Sequence, residues 1–160
     1  MLLRADRTSA AAAEHLRPRV ELLSKLDLLA GADRRTLERL AAAAQEVAMP
    51  ASQVVIREGD EADALWILAA GELSVQASGD GPEPRQLPPV TAPGYVGELG
   101  LLHGIPRTAS VRTRLPSTLL RIGGQDFLSA LQVSQPSPAL LSIAGTRMAR
   151  TPRNQAHDSR

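Results

Sequence analysis

Apolar positions recur at a helical period through the first third of the chain and at a strand period beyond it. Val20, Leu22, Leu23, Leu26 and Leu29 keep the three-and-four spacing of one helix face. Ser9 fits as an N-cap for the alanine run ahead of them, and Pro18 is expected to kink or restart that helix. Gly31 interrupts, and Asp33 suits the cap of a second helix with Leu37, Leu40, Ala41 and Ala44 on its apolar side. From Glu46 the pattern alternates, with Val47 and Met49 apolar and Pro50 closing the run. Short strands are predicted over 54–56, 65–69, 73–77, 111–114 and 118–122. Glu58-Gly59-Asp60 and Ala70-Gly71 are the turn signals between the first of them. Residues 78–93 carry many glycines and prolines and predict a long hairpin tip followed by an irregular strand over 85–90.

Past Gly123-Gly124 the helical period returns. Residues 125–131 predict a helix with Phe127, Leu128 and Leu131 inward. A Ser/Pro joint at 134–138 precedes a last helix over 139–150, which Pro152 stops because an interior proline costs a helix about 3 kcal/mol. Helices on either side of many short strands imply an α+β fold built on a compact β barrel or roll. The chain divides into a helical lead-in (1–45), the strand region (46–123), C-terminal helices (124–150) and a polar tail (151–160) expected to be disordered.

A length of 160 residues suits one domain with a real core, and the apolar content of 43% can fill it. Aromatics are 2%, so Leu, Val, Ile and Ala must do the packing, and Trp66 reads as core. A net charge of +1 gives no footprint for nucleic acid. Lys25 is the sole lysine among many arginines, a bias expected of a GC-rich bacterial source. The absence of cysteine removes disulfides and thiolate metal sites and fits a reducing cytoplasm. No apolar run approaches the roughly 20 residues of a membrane helix, and the charged start does not read as a signal peptide.

The chemistry gathers in Gly97 to Ser110. Glu98 stands nine residues before Arg107, with Gly97 and Gly100 beside the acid and Thr108, Ala109 and Ser110 after the base. Arg107 offers a planar fork of donors to phosphate oxygens. Glu98, acceptor-only when ionised, suits ligand hydroxyls. The pattern therefore fits a ligand carrying both an anion and a hydroxyl. A plainer reading stands beside it: Glu98 as a first-turn acid, the glycines as turn formers, and Arg107 as a strand-start arginine. Gly59 and Gly71 read as structural glycines at positive φ, and His103 as an exposed loop residue.

This segment closely resembles the phosphate-binding cassette of cyclic nucleotide-binding domains: a Gly-Glu pair, a short apolar helix, a variable loop, then Arg and small residues. The resemblance extends upstream through Glu58-Gly59-Asp60 and Gly71-Glu72-Leu73 and covers roughly Leu26 to Arg150. It implies an antiparallel β roll, jelly-roll-like, flanked by N-terminal and C-terminal helices. It implies a 3′,5′-cyclic mononucleotide as ligand, cAMP favoured and cGMP left open by Thr108, with no other cofactor and no metal. Arg107 would neutralise the phosphate, with Thr108, Ala109 and the amides of Gly97, Leu99 and Gly100 completing its cradle. Glu98 would hold the ribose hydroxyl, and Leu73 and Val75 would line the base pocket. Leu141, Arg147 and Met148 are candidates to cap the base.

No nucleophile, base or metal cluster accompanies this set, so a regulatory sensor rather than an enzyme is expected. It would relay binding through its C-terminal helices to a fused or associated effector, such as a bacterial transporter. A homodimer is open, and the location would be cytoplasmic, or the cytosolic face of the inner membrane if fused to a transporter. Two alternatives remain: an interaction module that keeps the fold but binds no nucleotide, and the sensory half of a transcription factor without its DNA-binding domain.

Overall fold

The computed structural model describes residues 14–132. Residues 14–24 are helical (α1), and the helix continues through Pro18 instead of breaking there. Proline already holds a helical φ, and Val20 and Leu23 bury the next turn in the core. A 3-10 turn, Asp27–Leu29, leads to α2, Arg34–Ala43. Asp33 caps α2 as anticipated, its carboxylate accepting from Thr36 N at 2.8 Å. At the other end, Arg19 of α1 donates to the carbonyl oxygens of Ala41 and Ala44, which the helix leaves without partners.

Six strands then precede a short helix. They are β1 (Gln45–Met49), β2 (Val54–Ile56), β3 (Ala64–Ala70), β4 (Glu72–Ala77), β5 (Arg85–Thr91) and β6 (Gly94–Val96). The helix α3 (Glu98–His103) is followed by β7 (Ser110–Thr113), β8 (Ser117–Gly123) and α4 (Gly124–Gln132). The strands form two four-stranded antiparallel sheets, ordered β1-β8-β3-β6 and β2-β7-β4-β5. The fold is thus the expected α+β roll with flanking helices, but its sheets do not close into a barrel. Strand β6 was not anticipated, because three residues behind Pro93 are too few to show alternation.

The pleat explains how two sheets and the helices share one core. On β3, Leu65 and Ile67 point to the helices and join Leu23, Leu28, Leu40, Ile122 and Phe127. Trp66 and Leu68 point the other way, into the roll, with Ile56, Leu73, Val96, Val111 and Leu119. Covered on both faces, β3 reads as one apolar run rather than an alternation. Trp66 is only half-buried, at the edge of that inner cluster.

At β5, Pro88 and Pro89 lie between Leu87, opposite Val75, and Val90, opposite Leu73. Two residues of β5 therefore face one of β4, a bulge on an edge strand where missing N–H groups are tolerated. Among the described residues no helix is long and apolar enough to cross a membrane. The expected helix over 139–150, the tail, and Leu141, Arg147 and Met148 lie outside the described residues.

Candidate functional site

Arg107 is the organising residue. It sits in the segment between α3 and β7, and only 5% of its surface is exposed. Its backbone is pinned to the Glu58-Gly59-Asp60 turn: Arg107 N donates to Asp60 O at 2.8 Å, and Gly59 N to Arg107 O at 2.9 Å. Glu58 steadies that turn. Its N–H donates to Ser110 Oγ at 2.9 Å, and its carboxylate accepts from the N–H and hydroxyl of Ser78. Those two bonds hold the Glu58 carboxyl below its usual range.

The guanidinium spans several elements. Nη1 donates to Gly97 O at 3.0 Å, while Nη2 donates to Ala64 O at 2.8 Å and Asp63 Oδ1 at 3.2 Å. Asp63 also meets Arg121 Nη2 at 3.3 Å. Three of the five guanidinium N–H groups are thereby used, leaving Nε–H and one Nη1–H without an acceptor among the described residues. A cationic group of this kind, buried with donors to spare beside a cleft, is suited to an anion.

The cleft holds about 260 Å³. Gly97, Glu98, Leu99, Gly100, Arg107, Thr108 and Ala109 line one side, so the structure brings together every predicted phosphate and ribose residue. Val75, Leu87, Pro88, Val90 and Val111 make an apolar wall opposite. Val75 is thus on the cleft. Leu73, fully buried in the cluster between the sheets, does not line the cleft. It shares a face with Val75 but lies two residues deeper, which periodicity cannot register. Trp66 does not line this cleft; its exposed part borders a separate polar groove that Arg107 also lines.

Two glycines are dictated by this geometry. Gly97 has φ +95°, and a Cβ there would stand 2.5 Å from Arg107 Nη1. Gly100 lies so close to Ala62 that a Cβ would meet the alanine Cβ at 2.6 Å. Gly59 and Gly71 do adopt positive φ, as the sequence suggested. His103 is half-buried at the last turn of α3 rather than exposed in a loop.

Glu98 opens α3. Burial pushes its carboxyl up from the ordinary range, and Asp27 pushes the same way, while its own backbone N–H and Arg107 pull it down. Burial also raises the Tyr95 phenol, as does its hydrogen bond to Asp27.

The residues that sequence reasoning missed are Asp63 and the wall from Leu87 to Val90. Asp63 meets Arg107 across 44 positions of chain, and no local spacing announces that. The wall had one visible signal, apolar residues on both sides of Pro88-Pro89, within the stretch taken as an irregular strand.

Residues 46–134 match the family described as the cyclic nucleotide-binding domain. The chain is 28% identical over 131 residues to an uncharacterised NTE family protein of Mycobacterium tuberculosis, covering 82% of this chain and 22% of that protein. It is 32% identical over 93 residues to an uncharacterised ABC transporter ATP-binding protein of Mycobacterium bovis, covering 57% and 28%. The chain thus spans about a quarter of the length of these relatives. The regulatory domain of Toxoplasma gondii PKA, solved with cAMP, superposes with a TM-score of 0.70 at 29% identity, over 81% of this chain and 47% of that one. The family match runs through more than half of the chain, from β1 past α4, and the chain therefore belongs to the cyclic nucleotide-binding domain family.

Proposed function

We propose that this domain is a regulatory sensor that binds a 3′,5′-cyclic mononucleotide in the cleft between α3 and β5. The observation that carries the reading is the buried Arg107 guanidinium, with two N–H groups unengaged by the described residues, beside Glu98 on the same cleft wall. In this reading Arg107 neutralises the cyclic phosphate, with Thr108, Ala109 and the amides of Gly97, Leu99 and Gly100 around it. Glu98 accepts from the ribose 2′-hydroxyl. The apolar wall, Val75 included, contacts the base. That wall offers no side-chain donor or acceptor, so it suits adenine by contact alone, and Thr108 supplies a hydroxyl by which guanine could be read. Leu73 supports the wall from behind rather than touching the ligand.

The domain would act by binding rather than by catalysis, and its output would be a shift of the helices that follow β8. The first of these, α4, packs on α2, α3, β3 and β8, so it touches both the lead-in and the cassette. The effector is proposed to be fused or associated, since this chain matches only 22% and 28% of the length of two curated relatives.

Calorimetric titration with cAMP, cGMP and 5′-AMP tests the reading. Saturable binding of a cyclic nucleotide, absent for 5′-AMP, is expected. Absence of heat, with no thermal stabilisation at millimolar cyclic nucleotide, would overturn it in favour of an interaction module.

A further inference from the structure

Glu58 holds both sides of the cleft, one with its backbone and the other with its side chain. Its N–H donates to Ser110 Oγ at 2.9 Å, at the end of the loop that carries Arg107, Thr108 and Ala109. The next two residues fix Arg107 itself, through the Gly59 N–H and the Asp60 carbonyl. In the other direction both carboxylate oxygens of Glu58 accept from Ser78, Oε1 from the N–H at 2.8 Å and Oε2 from the hydroxyl. Ser78 directly follows β4 and begins the loop into β5. Those two strands carry Val75, Leu87, Pro88 and Val90 of the apolar wall. β5 is an edge strand, paired only with β4. Gln76 Nε2 donates to Gln86 Oε1 at 3.0 Å just behind the tip, so the hairpin is zipped close to its end. Glu58 then fastens that end to the phosphate side.

We infer that Glu58 and Ser78 form a clamp that sets the span between the apolar wall and the Arg107 loop, so that both are positioning residues for the nucleotide although neither lines the cleft. This rests on the cyclic nucleotide reading above. A cyclic nucleotide keeps its base and phosphate at a short, fixed separation. A cleft whose two sides are already fastened to each other binds such a ligand without first having to order them. With the clamp open, that ordering must accompany binding, and affinity falls. Ser78 is exposed, so water can replace its bonds in the free protein and the clamp adds little to overall stability. Affinity and stability therefore respond differently, which a bond that merely supports the fold would not show.

Calorimetric cAMP affinity and urea denaturation of the wild type and three Ser78 variants test this. Ser78→Ala keeps the N–H bond but loses the hydroxyl; it should bind about two- to tenfold more weakly with a nearly unmoved urea midpoint. Ser78→Thr restores the hydroxyl and should bind as the wild type does. Ser78→Asp sets a second carboxylate against Glu58 and should lose the most, with part of the loss recovered in about 1 M salt. In a Leu87→Ala background the Ser78→Ala loss should shrink, because part of the wall being positioned is gone. Unchanged affinity in both Ser78→Ala and Ser78→Asp overturns the clamp, and losses that add fully to that of Leu87→Ala overturn its action through the wall. A wild type that binds no cyclic nucleotide overturns the functional reading instead, and amide hydrogen exchange then decides the clamp. The Ser78 N–H should exchange slowly in the wild type and fast in Glu58→Ala, which keeps the backbone bond to Ser110; equal rates would overturn it.

Discussion

Replacing Arg107 by alanine removes a ligand group and a structural tie at once, and the two losses can be separated. The backbone bonds to Gly59 and Asp60 survive, because they do not involve the side chain. Three acceptors lose their donor: Gly97 O, Ala64 O and Asp63 Oδ1. Asp63 is 68% exposed, so water replaces that partner and the ion pair contributes at most about 1 kcal/mol. Gly97 O borders the cleft, and water admitted there recovers most of its bond. Ala64 is fully buried, and its carbonyl bears the larger cost of an unsatisfied acceptor, about 1–3 kcal/mol. The total comes to about 1–4 kcal/mol. That is a large share of the stability of a domain holding 5–15 kcal/mol, roughly, but not all of it. Urea denaturation of both proteins reads this directly, and titration with cAMP on the still-folded variant reads the ligand term separately. Binding should vanish. A stability loss below about 0.5 kcal/mol, the level of an ordinary surface substitution, would refute the structural role of the guanidinium.

Other substitutions report on neighbouring parts of the same argument. Gly97→Ala should destabilise by about 1–3 kcal/mol through its positive φ, and push Arg107 out of place enough to cost tenfold or more in affinity by calorimetry, about 1.4 kcal/mol. Glu98→Gln tests a trade of stability against binding. The folded carboxyl binds its proton more tightly than the unfolded one, so the native state gains stability as pH falls through the raised value and bears a penalty above it. The variant should be more stable than wild type at pH 7, with the gap closing in the acid range, while its nucleotide affinity falls; equal denaturation midpoints at pH 7 would contradict the burial argument. Discrimination against 2′-deoxy cyclic nucleotide should be strong in the wild type and weaker in Glu98→Gln, whose amide oxygen still accepts but carries no charge. Phe127→Ala, deep under the helices, should cost about 3–5 kcal/mol without touching the cleft.

The parts of this site that could be read in advance are those encoded in consecutive residues. Gly97, Glu98 and Gly100 lie in one short stretch, and Arg107 follows within the same loop, so their spacing carried the chemistry. The positive φ of Gly59 and Gly71 was legible because turn residues stand beside strand-like runs. Leu73 was misplaced for a reason that period-two patterns share: they say which face a residue takes but not how far along the cleft it lies. The link from Asp63 to Arg107 and the bond from Asp27 to Tyr95 span 44 and 68 positions. Each requires the completed fold to exist before the partners are neighbours.

The prolines at the β5 bulge have a consequence for how the domain behaves among its own copies. An apolar wall on a free sheet edge is a hazard, since a bare row of N–H and C=O groups can recruit a strand from another molecule. Pro88 and Pro89 carry no N–H, and the bulge they occupy throws the strand out of register with any flat partner. Pro88 thus shapes the ligand wall and, with Pro89, denies its edge to a second chain. A hydrophobic surface open to a small molecule stays closed to polymerisation, and crowding or fusion to a larger assembly need not turn the sensor's pocket into a seed for aggregation.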